Sequence, residues 1–135
     1  MSKAKAIGTA AETAVVKHLQ SLGWENVHRV VLHGKDDLGD IHVGNPDHPH
    51  TVIEVKSRKN EATYKEVEEF MQELENEAIH TWHKENWRDD ERHHAYLIIK
   101  RPGKGKVEDW WICWKEVKDG CTIRARVGDF LGSKY

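Results

Sequence analysis

The chain has 135 residues, a formal net charge of −2, 33% charged side chains and only two cysteines. That length gives one domain, 1–135, with a core that needs no disulfides, and no apolar run approaches the length required to cross a bilayer. Cys113 and Cys121 are too few and too far apart for a CxxC metal site, and the polar stretch Met1 to Ala6 lacks a signal-peptide apolar region, so a soluble, intracellular protein with no membrane partner is expected.

The charge is unevenly spread. Residues 1–60 balance at +1, residues 61–94 at −7 and residues 95–135 at +4. The excess acid falls in one predicted helix, which leaves Lys56, Arg58 and Lys59 and the C-terminal third locally basic and permits a nucleic-acid partner.

Residues 7–22 form an amphipathic pattern, with Ile7, Ala11, Ala14, Val15, His18, Leu19 and Leu22 three and four apart, closed by Gly23. Glu12 borders this stripe, either as a half-buried acid that needs a partner or as a solvated charge favoured by the helix dipole. Trp24 to Leu32, with Val27, Val30, Val31 and Leu32, reads as a strand, and His33 to Gly39 as a polar loop in which Asp36 and Asp37 are turn formers. Leu38 to Val43 is a shorter strand carrying Asp40. A turn through Asn45-Pro46-Asp47-His48-Pro49 leads to Thr51-Val52-Ile53-Glu54-Val55-Lys56-Ser57-Arg58-Lys59.

This last strand is the most informative stretch. Residues two apart on a strand share a face, so Glu54 and Lys56 project together while Val55 points away, and pairing through the turn sets Asp40 beside Glu54. Two carboxylates and an ammonium then converge. Mg²⁺ is a hard cation that takes one or two carboxylates and leaves other positions to water and phosphate, and a nearby lysine can stabilise charge on a phosphate under attack. A surface salt bridge on an exposed strand face is an equally open reading of the short motif.

Beyond residues 60–66 a long helix presents Val67, Phe70, Met71, Leu74, Ala78, Ile79 and Trp82 on one face. The other face carries Glu66, Glu68, Glu69, Glu73, Glu75 and Glu77, expected to be a solvated surface turned away from any DNA. His80 and His83 are helix-end histidines for which no third zinc ligand has suitable spacing. Ala95 to Lys100 and Trp110 to Trp114 are strands of a hairpin joined by the basic turn Arg101 to Lys106, and Cys121 to Val127 alternates as one more strand. The turn lysines either touch phosphate or stay solvated, and the tryptophans are core or interface by default.

A helix with Gly8-Thr9-Ala10-Ala11-Glu12, a strand, a loop, Gly39-Asp40, Ile53-Glu54-Val55-Lys56, a helix and a two-strand finish together resemble the PD-(D/E)XK nuclease superfamily. Within it, the chain resembles the archaeal-type Holliday junction resolvases and their phage relatives, over roughly residues 4–117. The resemblance implies an α/β fold, restriction-endonuclease-like, with a mixed central β-sheet flanked by an N-terminal helix and a long middle helix. It implies Asp40 and Glu54 as Mg²⁺ ligands, with Mn²⁺ as a substitute and the Val55 carbonyl as a further ligand. Lys56 becomes the electrostatic or water-orienting group and Glu12 an accessory catalytic acid. Lys35, Arg58, Lys59, Lys104 and Lys106 are the DNA contacts that accompany this reading.

The implied activity is metal-dependent endonucleolytic nicking of branched DNA, a four-way junction, by a homodimer serving recombination and repair in the cytoplasm of a prokaryotic or phage-infected cell. Gly39 replaces the proline of the superfamily's name, and the acidic segment 61–94 is longer than expected for the resolvases. A repair or restriction-like endonuclease on other DNA, and a non-catalytic DNA-binding module of the same fold, are the rival readings.

Overall fold

The computed structural model describes residues 3–29, 41–45, 48–84, 94–115 and 120–132. It is a mixed α/β fold in which a six-stranded sheet, ordered β1-β2-β3-β4-β5-β6, carries three helices. The strands are β1 (Val27–Arg29), β2 (Ile41–Asn45), β3 (His48–Ser57), β4 (His94–Lys100), β5 (Trp111–Lys115) and β6 (Thr122–Arg126). All neighbours are antiparallel except β3 and β4. A parallel pair needs a crossover, and α2 (Tyr64–Lys84) lies in the connection between them. Among the described residues no helix is long and apolar enough to cross a membrane.

Helix α1 (Lys3–Ser21) stops where the glycine signal places it. Gly23 adopts φ 90°, its N–H donates to Gln20 O at 3.0 Å, and the Trp24 N–H reaches back to Leu19 O at 3.1 Å, a Schellman closure that satisfies the last carbonyls. Helix α2 starts on a capping box. The Glu66 N–H donates to Thr63 Oγ1 and the Thr63 N–H donates to Glu66 Oε1, so two otherwise orphaned donors are met reciprocally. Strand β3 begins at His48, inside the segment read from sequence as turn. Pro49 is tolerated there because β4 begins only opposite Thr51, so no ladder on that side requires its missing N–H.

The strand alternation splits the core into two. Ile53 and Val55 of β3 join Ile41, Val43, Ile98 and Ile112 against Ala11, Val15 and Leu19 of α1. Val52 of the same strand joins Leu97, Ile99 and Cys113 against Val67, Phe70, Met71 and Leu74 of α2. The expected apolar face of α2 holds except at Ile79, which is 43% exposed, one position past the buried Ala78 and so rotated off the sheet. The Trp82 side chain lies outside what is described. Helix α3 (Val127–Phe130), a single turn after β6, is not signalled by the alternating pattern that precedes it. Of the tryptophans, Trp110 is buried with its indole N–H donating to Lys104 O at 2.8 Å, and Trp114 stacks on Phe130 at 4.2 Å between ring centroids.

Candidate active site

Because Ile53 and Val55 face α1, Glu54 and Lys56 face α2, as the two-residue strand period requires. Glu54 is 6% exposed, walled by the apolar cluster around Val52 and Leu97, and the Lys56 side chain is 27% exposed. The ammonium of Lys56 lies 3.7 Å from Glu54 Oε1 and 2.9 Å from Glu73 Oε2 of α2, with the Phe70 ring centroid at 5.2 Å. Burial pulls the Lys56 pKa down, but the Glu73 hydrogen bond and the charges of Glu54, Glu73 and Glu77 outweigh it, so the group titrates above the ordinary lysine value. Lys56 is therefore a fixed cation at neutral pH, held between a buried and an exposed acid.

The site sits near the carboxyl end of the parallel pair, where open α/β sheets tend to bind ligands. Lys56 is opposite Ile99 and Ser57 opposite Lys100 on β4. The chain just beyond these ends, Arg58 and Lys59 on one side and Arg101 to Lys106 on the other, therefore gathers at one edge of the molecule. Of the expected DNA contacts, Arg58, Lys59, Lys104 and Lys106 are all exposed there. Asp40 and Lys35 lie outside the described residues. The last described pair of the β2–β3 ladder is Ile41 with Ile53, the residues immediately following Asp40 and preceding Glu54. The Val55 side chain is buried toward α1, and its backbone links the two site residues.

Glu12 is not on this face. It projects from α1 and accepts from Arg29 Nη2 at 3.0 Å and Arg29 Nε at 3.3 Å, and Arg29 shares its side of β1 with Val27 of the α1-side core. Helix α1 and the Glu54–Lys56 pair thus lie on opposite surfaces of the sheet, and the described contacts of Glu12 join it to Arg29 rather than to that pair. The half-buried acid has a partner in Arg29, as its place beside the apolar stripe required. The acids of α2 remain largely in solvent, with Glu69, Glu73 and Glu75 exposed, but several also meet cations of the sheet and its margin. Glu73 reaches Lys56, Glu66 pairs with Arg58, and Glu75 approaches Lys115 of β5 at 3.4 Å. Glu66, Phe70, Glu73 and Glu77 recur at helical spacing along one stripe, a signal present in the sequence but assignable to β3 only once the rotation of α2 is known.

Among the described residues, no group of three or more His, Cys, Asp or Glu side chains is placed to hold a metal ion. Glu54 nevertheless has the donor chemistry a hard cation prefers, a carboxylate in a site whose other described charges are oxygen acids and one ammonium. Neither Cys113, buried with its thiol pushed up to about 11, nor the distant exposed Cys121 contributes a soft ligand.

What fold and site define together is a mixed α/β protein with a buried acid beside a half-buried lysine near the carboxyl end of the parallel β3–β4 pair. No family model matches the chain, and no curated protein or solved structure matches it.

Proposed function

We propose that the protein is a metal-dependent DNA endonuclease of the restriction-endonuclease-like fold, acting as a homodimer on four-way junctions in the manner of a Holliday junction resolvase. The observation that carries this reading is the buried Glu54 carboxylate beside the Lys56 ammonium on one face of β3. Keeping an acid out of water costs free energy that an apolar residue would not, so such a pair is better explained by chemistry than by stability.

Glu54 and Asp40 would hold Mg²⁺ or Mn²⁺, with the Val55 carbonyl as a backbone donor between the site residues. Such a cation, when bound, supplies Lewis-acid polarisation of the scissile phosphate and acidifies a water. The chain's own part is positional and electrostatic. Lys56 donates its N–H groups to a non-bridging phosphate oxygen or to the attacking water, and Phe70 and the two flanking acids limit where the ammonium can point. Water oxygen would then bond to phosphorus as the bond to the leaving sugar oxygen breaks, the water giving its proton to solvent and the sugar oxygen taking one from solvent.

A non-catalytic DNA-binding module is the second reading, favoured by the position of Glu12 on the opposite face and by the engagement of Lys56 with Glu73. The test is incubation with an end-labelled four-way junction and its matching linear duplex, in Mg²⁺ or in EDTA, beside Glu54→Gln and Asp40→Asn. Paired symmetric nicks confined to the junction, requiring Mg²⁺ and both acids, support the resolvase. Cutting of both substrates makes it a repair or restriction-like endonuclease, and binding without cuts in any metal makes it a module.

A further inference from the structure

The cations at the carboxyl end of β3 and β4 fall into two groups. Lys59, Lys104 and Lys106 are exposed and enter no ion pair among the described residues. Those on the α2 side of the sheet are each met by a carboxylate from α2 or from the loop leading into it, and Lys100 belongs to neither group, its ammonium lying 5.8 Å from the Trp110 ring centroid. Lys56 has Glu73 at 2.9 Å, Arg58 has Glu66, and Arg101 has Glu61 at 3.5 Å. Arg101 is held further by stacking on Trp111, 4.3 Å from the ring centroid, and by donating from Nη1 to Asp109 O at 3.2 Å. Glu61 also accepts the Trp111 indole N–H at 2.7 Å, so the acid meets both the indole and the guanidinium.

From this division we infer that the carboxylates of Glu61 and Glu73 occupy the phosphate positions of a nucleic-acid surface formed by Arg101 and Lys56, and that a DNA backbone binds by displacing them. The inference rests on the DNA reading of the same site but requires no cleavage. Its physical basis is an exchange of like for like. A carboxylate and a phosphodiester offer the same anionic oxygens to the same donors, and an ion pair whose carboxylate stands half in water is weak enough to be exchanged. Glu61 and Glu73 are about half exposed, so each can swing into water without opening the core. The turn lysines and Lys59, already available, make the first electrostatic contact, and the screened cations engage only a polyanion that stays. Arg101 thereby becomes a DNA-contacting residue that sequence did not single out.

The test is the affinity of a labelled duplex and a labelled four-way junction, measured by fluorescence anisotropy in EDTA so that no cutting occurs. The Glu61→Gln/Glu73→Gln variant keeps side-chain length and hydrogen-bonding capacity, and Gln at position 61 still accepts from Trp111. Its affinity should rise about five- to tenfold, the combined effect of removing two exposed ion pairs. Glu25→Gln/Glu69→Gln is the control, since these acids are exposed, pair with nothing among the described residues and change net charge by the same amount. A clearly smaller gain in the control, and loss of much of the Glu61→Gln gain when Arg101→Gln is added, support displacement. Equal gains in both double variants would reduce the effect to bulk charge and overturn it, as would no gain in either. Failure of the nuclease reading shows separately, as an absence of Mg²⁺-dependent cuts by a protein whose binding still responds to Glu61 and Glu73.

Discussion

On the α1 side of the sheet, β3 delivers Ile53 and Val55 into an apolar cluster, and Glu12 of α1 is bound to Arg29 of the edge strand β1. On the α2 side the same strand delivers Val52 to a comparable cluster and then, two and four residues later, Glu54 and Lys56 at its margin. The α1 side uses its ion pair to fasten a helix to an edge strand. The α2 side holds a buried acid against a lysine that a second acid also claims. Two surfaces built by one alternation thus differ in kind, the first a support and the second a support with a reactive margin.

The largest test of that difference is catalytic. Lys56→Ala should lower Mg²⁺-dependent cleavage about 10²- to 10³-fold, the usual cost of removing one preorganised electrostatic donor, and Glu54→Gln by at least as much. Glu12→Gln should leave the rate within a few-fold, read in the same end-labelled assay. A Glu12 effect as large as that of Glu54 would break the division between the faces.

Packing sharpens the comparison from the other direction, because both clusters are equally closed. Ile53→Ala on the α1 side and Leu97→Ala on the α2 side each remove a fully buried aliphatic and should each cost about 2–5 kcal/mol in urea unfolding. A marked asymmetry would show that one layer contributes far less to folding than its burial suggests.

Titration offers a smaller effect on each face. The Cys113 thiol, under α2, is raised by burial from 9.0 to about 11, so the folded state keeps a proton that the unfolded chain gives up. The folded state therefore loses stability as pH rises from 9 toward 11, by up to roughly 2 kcal/mol, and Cys113→Ala should flatten that decline in thermal melts. Tyr96, packed with Trp114 and Phe130 on the other face, is also raised by burial, so it adds a loss of the same sign above its ordinary value of 10.0. Lys56 acts in that direction too. Its raised pKa contributes stability that is complete below 10.5 and disappears as pH passes the folded value.

The smallest expected change is at the Glu12–Arg29 pair. Arg29→Met should cost no more than about 1 kcal/mol, since the guanidinium is partly exposed and such pairs are screened, and the loss should shrink further at high salt.

Much of this fold is legible in the sequence because local periodicity writes it. The three- and four-residue spacing of α1 with its Gly23 stop, the branched run of β3, the hairpin of β4 and β5 and the alternation of β6 each follow from which side chains must share a face. The same parity placed Glu54 with Lys56 and turned Val55 away. The Thr63–Glu66 capping box was equally readable, since it depends only on residues three apart.

What the tertiary structure decided is how the elements face one another. Nothing in the spacing of Glu12 says that α1 covers the opposite surface from Glu54. Nothing in the acidic stripe of α2 says that Glu73 and Glu66 pair with Lys56 and Arg58. Periodicity determines which residues of one element share a side. Which side meets which neighbour depends on crossover and helix rotation, set by the packing of Phe70, Leu74 and their partners far away in sequence.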